Sequence, residues 1–231
     1  MPVFGAPCPV DRYDENTADI MILPRLYPIL DTGTLERRRC PVETAAQALA
    51  DAGVRILQFR HKGHLSRAVF EQTERVAALC RERGTLFVIN DRTDLAMVFG
   101  AGLHLGQNDL PPAEARRLLG PGAVLGFSTH NEAQLRAAAG EPVDYVALGP
   151  IFGTATKEKP DPVVGLAELV RLRPISSRPL VAIGGITRQN ARSVLEAGAD
   201  SVAVIADLYP EPCTYDTLRA RTVEWLELLN R

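Results

Sequence analysis

The chain has no Cys-x-x-Cys pair and no histidines at metal-ligand spacing, and its four cysteines, at positions 8, 40, 80 and 213, are scattered over 231 residues. That pattern argues against a disulfide framework and against a thiolate metal site. The cysteines read as reduced thiols of a cytoplasmic protein, with Cys80 on a buried helix face. No uninterrupted apolar run approaches the roughly 18 to 20 residues of a membrane-spanning helix. A basic excess is missing too. The formal net charge is −2, whereas binding to a nucleic-acid backbone draws on a surplus of Lys and Arg, so any anion site must be local. The first residues lack the basic start and apolar core of a signal peptide. They carry Pro2, Pro7 and Pro9, then Asp11, Asp14, Glu15 and Asp19. Residues 1–22 are expected to form a loosely ordered extension, or to precede the true start.

From Arg25 onward, short apolar runs alternate with helical patterns. The predicted strands are Leu26–Leu30, Ile56–Phe59, Leu86–Ile89, Leu103–Leu105, Val124–Phe127, Tyr145–Leu148, Leu180–Ile183 and Ser201–Ile205. Predicted helices cover Val42–Ala52, Ser66–Arg83, Pro112–Leu119, Asn131–Ala139, Leu166–Leu172, Gln189–Ala197 and Tyr215–Leu229. Several stop at Gly53, Gly84, Gly120, Gly140 or Gly198, the residue that turns a helix end through a left-handed position. Eight strand and helix units in about 205 residues match the small end of the (β/α)8 TIM barrel, so residues 23–231 are read as one α/β barrel domain. The strands are apolar throughout, as expected when both faces are buried. An open doubly wound sheet is the alternative, and it needs a Gly-rich phosphate loop after the first strand. Asp31-Thr32-Gly33-Thr34 matches that poorly.

Two aspartates, Asp91 and Asp109, each follow an apolar run. On consecutive parallel strands, roughly 4.8 Å apart, they project from the same end of one sheet. One or two carboxylates completed by substrate phosphates and water is a common way to hold Mg2+. Polar, cationic or glycine-rich residues follow almost every strand at that same end, including Gln58-Phe59-Arg60-His61-Lys62, Gly126-Phe127-Ser128, Gly153-Thr154-Ala155-Thr156-Lys157 and Ile183-Gly184-Gly185-Ile186. A lone aspartate after a strand is usually a turn former. Recurrence at one end points instead to a Mg2+-assisted enzyme acting on a diphosphate. In a barrel, phosphate is often held after strands seven and eight, here Gly184-Gly185 and Ile205-Ala206, where backbone N–H groups and a following helix N-terminus can approach it closely.

Six segments resemble thiamine-phosphate synthase and run in that family's order over most of the chain. They are Gln58 to Lys62, Ile89-Asn90-Asp91-Arg92-Thr93-Asp94-Leu95-Ala96, His104-Leu105-Gly106-Gln107-Asn108-Asp109, Gly126-Phe127-Ser128-Thr129-His130, Gly149-Pro150-Ile151-Phe152-Gly153-Thr154-Ala155-Thr156-Lys157 and Ile183 to Ile186. The resemblance implies an enzyme that joins 4-amino-5-hydroxymethyl-2-methylpyrimidine diphosphate to a thiazole phosphate, with or without its carboxylate, giving thiamine monophosphate and pyrophosphate. It implies Mg2+ on Asp91 and Asp109. Gln58, Arg60, Lys62, Asn90, Ser128 and Lys157 would meet the pyrimidine diphosphate, with Phe59, His61 and Ala155 counted as substrate-binding in the same segments. Thr154, Thr156, Gly185 and the Ile205-Ala206 backbone would hold the thiazole phosphate.

Loss of pyrophosphate leaves a pyrimidine cation stabilised by its amino group, so the need is chiefly to neutralise the leaving group. Arg60, Lys62 and Lys157 suit that need, with Ser128 as a further catalytic candidate. No protein nucleophile is required, and His104 and His130 fit orienting and packing roles equally. The family commonly has Pro where Gly153 stands and Ser where Ala206 stands. A related thiazole tautomerase, or a non-catalytic binder of the same phosphates, has no use for the metal carboxylates and Thr156-Lys157. The expected partners are thus small molecules, with no nucleic acid and no membrane. Either a monomer or a homo-oligomer satisfies the pattern.

Overall fold

A computed structural model describes residues 21–154 and 161–230. Its eight strands are β1 (Leu26–Asp31), β2 (Ile56–Arg60), β3 (Leu86–Asn90), β4 (Gly102–Leu105), β5 (Leu125–Thr129), β6 (Tyr145–Leu148), β7 (Leu180–Ile183) and β8 (Ser201–Val204). They pair in sequence order, all parallel, and β1 closes on β8 with Leu26 opposite Val202. This is the expected (β/α)8 barrel. The expected extension, residues 1–22, lies outside the described residues except for Met21 and Ile22.

Strand side chains alternate between faces with a period of two, and the two faces meet different apolar layers. Tyr27, Ile29, Ile56, Val88, Tyr145, Ala147, Val181 and Ala203 form the barrel interior. Their neighbours Leu26, Leu30, Leu57, Phe59, Ile89, Leu103 and Val146 belong to the layer under the helices. One close fit shapes the interior. Gly126 and Tyr145 are register partners, and a side chain at Gly126 would overlap the Tyr145 ring. The glycine makes room for a tyrosine lying across the barrel axis.

Nine helices cover the outside of the described barrel: α1 (Thr32–Arg37), α2 (Val42–Asp51), α3 (Arg67–Glu82), α4 (Thr93–Phe99), α5 (Pro112–Leu119), α6 (Glu132–Ala138), α7 (Leu166–Leu172), α8 (Ala191–Glu196) and α9 (Tyr215–Asn230). α3 shows why they form. Ser66 caps it by accepting from the Val69 N–H at 3.3 Å, and Thr73, Val76, Ala77 and Cys80 are buried at helical spacing along one face. Cys80 sits on that face as expected, and burial pushes its thiol up to about 12. α1 and α4 were not anticipated from the sequence. The predicted helix-end glycines 53, 84, 120 and 198 do take positive φ, whereas Gly140 does not, since α6 ends through Ala139 in a right-handed conformation.

The cysteines are less scattered in space than in sequence. Cys40 and Cys213 lie close enough to perturb each other, and burial followed by that contact raises the Cys213 thiol to about 12. The Arg38–Glu211 ion pair at 2.5 Å ties the same two loops together. Both thiols remain free. No helix among the described residues is long and apolar enough to cross a membrane.

Candidate active site

Strand parity places the site. On β2 the interior residues are Gln58 and Arg60, on β3 Asn90, on β4 His104 and on β5 Ser128. All five line one cavity of about 670 Å3, as do Lys62, Asp91, Asp109, Thr154, Gly185, Ile205 and Ala206 from the loops beyond the strands. Phe59 has the opposite parity and is buried in the layer under the helices. His61 also lies off the cavity lining, its Nδ1 2.8 Å from the Thr32 hydroxyl and its Nε2 3.2 Å from the His64 carbonyl oxygen. Ala155, Thr156 and Lys157 fall outside the described residues.

The two carboxylates come together at the rim. Asp91 follows β3 with φ of 63°, a left-handed conformation uncommon outside glycine but tolerated by Asp and Asn. It is pinned there by its N–H, which donates to the His104 carbonyl at 2.8 Å. Asp109 Oδ2 accepts from the Gly106 N–H at 2.7 Å. The two carboxyl groups lie within hydrogen-bonding reach of each other. Burial, and then the neighbouring Asp91, raise the Asp109 carboxyl above its ordinary range. Lys62 forms an ion pair with Asp91 Oδ2. Two acidic groups forced together in this way suit a divalent cation. Among the described residues no third His, Cys, Asp or Glu joins them. A pair completed by substrate oxygens and water is what Mg2+ accepts, unlike the closed nitrogen and sulfur sets of structural zinc.

Other polar groups await or hold partners nearby. Asn90 lines the cavity, and its Nδ2 is buried with no hydrogen-bond partner among the described residues, a donor left over for an acceptor that a ligand can supply. Arg60 pairs with Asp31, which is 3% exposed. Asp31 also caps α1, accepting from the Thr34 N–H at 2.8 Å and the Thr34 hydroxyl at 2.7 Å. Burial alone would raise its carboxyl, but the bonds from Thr34 and Arg60 outweigh burial and hold it below the usual value.

The cavity floor is a chain of buried hydrogen bonds. Gln58 Nε2 donates to the Tyr27 hydroxyl at 3.1 Å, and the Tyr27 and Tyr145 hydroxyls lie 2.8 Å apart. Tyr145 lies 3.0 Å from His104 Nδ1, and His104 Nε2 lies 2.9 Å from Ser128 Oγ. Burial depresses the His104 imidazole to about 4, partly offset by Asp91 and reinforced by Lys62. Burial also raises the Tyr27 phenol to about 12. The ring is therefore neutral and the phenol protonated at physiological pH. His130 serves the wall instead, its Nδ1–H donating to the Gly149 carbonyl at 2.6 Å.

Opposite the carboxylates, the β7 and β8 ends form a backbone-lined wall. Gly184 and Gly185 have φ of 99° and 63°. A Cβ on Gly185 would stand 2.5 Å from the Gly153 carbonyl oxygen and 2.7 Å from Phe152 Cβ, so the loop after β6 rests directly on this glycine. The Phe152 N–H donates to the Gly184 carbonyl at 3.0 Å. α8 begins only at Ala191, so its N-terminus does not abut Gly185 as the sequence suggested. A 3-10 turn, Ala206–Leu208, follows β8 directly, and Asp207 in it accepts from Arg188 Nε at 3.1 Å. Sequence reasoning passed over Asp31, Tyr27 and Tyr145. Asp31 had a readable signal in its Asp-x-x-Thr helix cap. The tyrosines had none, because only barrel register brings them together.

A family model described as thiamine monophosphate synthase matches residues 26–208. A thiamine-phosphate synthase of Koribacter versatilis is 46% identical over 211 residues, covering 90% of this chain and 97% of that protein. The one from Chlorobium phaeovibrioides is 44% identical over 175 residues, covering 74% and 83%. Among solved structures, thiamine phosphate pyrophosphorylase from Pyrococcus furiosus is similar with a TM-score of 0.75 and 31% identity, over 89% of this chain and 95% of that one.

Proposed function

The chain belongs to the thiamine monophosphate synthase family, and from that premise we propose how its cavity performs the synthase reaction. It is a transferase that joins 4-amino-5-hydroxymethyl-2-methylpyrimidine diphosphate to a thiazole phosphate, releasing pyrophosphate. The observation that carries the site reading is the Asp91–Asp109 pair, set beside Lys62 on a cavity that Arg60 also lines. Asp91 and Asp109 would hold Mg2+. When bound, the ion supplies positive charge to the diphosphate and to the pyrophosphate that leaves.

The chain's own residues do the rest. Arg60 is fixed by Asp31 and presents a preorganised guanidinium to the departing oxygens, which costs no reorganisation at the moment of bond breaking. Lys62, anchored on Asp91, adds a second cation, and Asn90 Nδ2 donates to a diphosphate oxygen. Lys157, from its place in the motif, adds a third cation. Gln58 and Ser128 on the floor meet the pyrimidine ring. The carbon that loses pyrophosphate becomes a cation stabilised by the ring amino group, and the thiazole nitrogen captures it. Thr154, Thr156, Gly185 and the Ile205-Ala206 backbone hold the thiazole phosphate against the opposite wall, keeping the nucleophile in line with that carbon. A cytoplasmic location belongs to the same reading, supported by the unbridged thiols of Cys40, Cys80 and Cys213.

The test is direct. The purified protein with both substrates and Mg2+ should form thiamine phosphate and pyrophosphate in equal amounts, and omission of either substrate or addition of EDTA should abolish both. Formation of neither product under these conditions would overturn the reading.

A further inference from the structure

Five strands contribute one side chain each to the floor: Tyr27 from β1, Gln58 from β2, His104 from β4, Ser128 from β5 and Tyr145 from β6. The bonds Gln58–Tyr27, Tyr27–Tyr145, Tyr145–His104 and His104–Ser128 are 3.1, 2.8, 3.0 and 2.9 Å long. They join side chains up to 118 residues apart in sequence.

The chain has a direction. A side-chain NH2 only donates, so the Tyr27 oxygen accepts from Gln58. Tyr27 is 1% exposed, and a buried hydroxyl proton left without an acceptor is costly. It therefore points to Tyr145. Tyr145 in turn gives its proton to His104 Nδ1, which then carries none of its own. The ring proton resides on Nε2 and is donated to Ser128 Oγ. Ser128 is the only member of the chain with appreciable exposure to the cavity beyond the buried floor, and it keeps its own proton to give away. Turning the Gln58 amide over would reverse every bond and leave Ser128 pointing its proton inward.

We infer that Tyr27, Tyr145 and His104 are positioning residues that carry the orientation of the Gln58 amide across the barrel floor and fix the Ser128 hydroxyl as a hydrogen-bond donor toward the substrate ring. The inference rests on the reading that Ser128 meets the pyrimidine. Gln58 and Ser128 lie on opposite ends of this chain and both line the cavity, so the floor presents one matched set of donors and acceptors rather than two independent contacts. A ring with an acceptor nitrogen beside an amino group is the chemistry such a floor reads.

Two measurements test it. The first uses the free wild-type protein labelled with 15N at histidine. His104 should be found as the Nε2–H tautomer, and the Nδ1–H tautomer would overturn the direction. The second is a double-mutant cycle of kcat for Tyr145→Phe with Ser128→Ala. With Ser128 present, Tyr145→Phe should lower kcat about tenfold with little change in KM, the scale of one lost hydrogen bond. In the Ser128→Ala background the same change should cost less than about twofold. Tyr27→Phe, farther along the chain, should repeat the pattern, which guards against a packing defect special to Tyr145. Equal losses in both backgrounds would make the tyrosines merely structural and overturn the positioning role. If Ser128→Ala retains the full rate of an active wild type, the substrate contact at Ser128 fails and the positioning role fails with it. The tautomer measurement needs no substrate, so it judges the chain's direction separately.

Discussion

Asp31 and Arg60 are register partners at the C-terminal ends of β1 and β2, and the buried Asp31 carboxylate holds the Arg60 guanidinium at the cavity rim. The same carboxylate caps α1, so one side chain both starts a helix and aims a substrate-binding cation. Asp31→Asn should lower stability at pH 7 by on the order of 2 kcal/mol, the value of a buried bond to a charged group, and should raise KM for the pyrimidine diphosphate. The Asp31 carboxyl is held below its ordinary value. Its contribution is therefore complete above about pH 4 and fades as pH falls through the lower folded-state value. Urea midpoints of the two proteins should differ at pH 7 and converge toward pH 2. A constant difference at all pH values would contradict the assignment.

Asp91→Asn and Asp109→Asn should each lower kcat by a factor corresponding to several kcal/mol of lost charge stabilisation. Folding should survive, because either change relieves a like-charge contact and Asn tolerates the positive φ at position 91. Mg2+ should raise the melting temperature of the wild type and leave that of the double variant unmoved. An undiminished wild-type rate in EDTA would sink the metal site.

Gly185→Ala should destabilise the protein by about 1–2 kcal/mol for its left-handed backbone alone. It should also push the loop bearing Thr154 away from the cavity, because the new methyl meets Gly153 and Phe152. KM for thiazole phosphate should rise much more than KM for the pyrimidine diphosphate. Ala206→Ser, at an exposed position where the backbone N–H is kept, should change neither. Steady-state titration of each substrate at saturation of the other separates these outcomes.

Lys157→Ala should slow pyrophosphate release in a single turnover while leaving thiazole phosphate affinity near wild type, as its motif position implies. An unchanged single-turnover rate at saturating substrates would remove Lys157 from the leaving-group side.

The eight strands were legible because parallel barrel strands bury both faces and so appear as short apolar runs, and the rim residues were legible because the fold gathers every strand end at one mouth. α1 and α4 were not, since α1 opens in Asp31-Thr32-Gly33-Thr34, weighed as a phosphate loop, and α4 opens inside the Ile89 to Ala96 segment, read for its binding residues rather than for a helical stripe. Phe59 sat inside a convincing motif, yet its parity turns it outward. The floor chain was invisible for the opposite reason. Tyr27 and Tyr145 have no local signature, and their meeting with His104 depends on the register of β1, β4 and β6 and on the space left by Gly126.

β1 finds its second neighbour only when Leu26 meets Val202 of the last strand, and Arg25 then donates to the Leu229 carbonyl at 2.8 Å near the end of α9. While the ribosome is still making the chain, the growing sheet has two raw edges, each a template for pairing with another nascent chain. No amount of early folding removes them. Translation of β8 and α9 is the step that seals the molecule, and a stall shortly before it should be far more prone to aggregation than one shortly after.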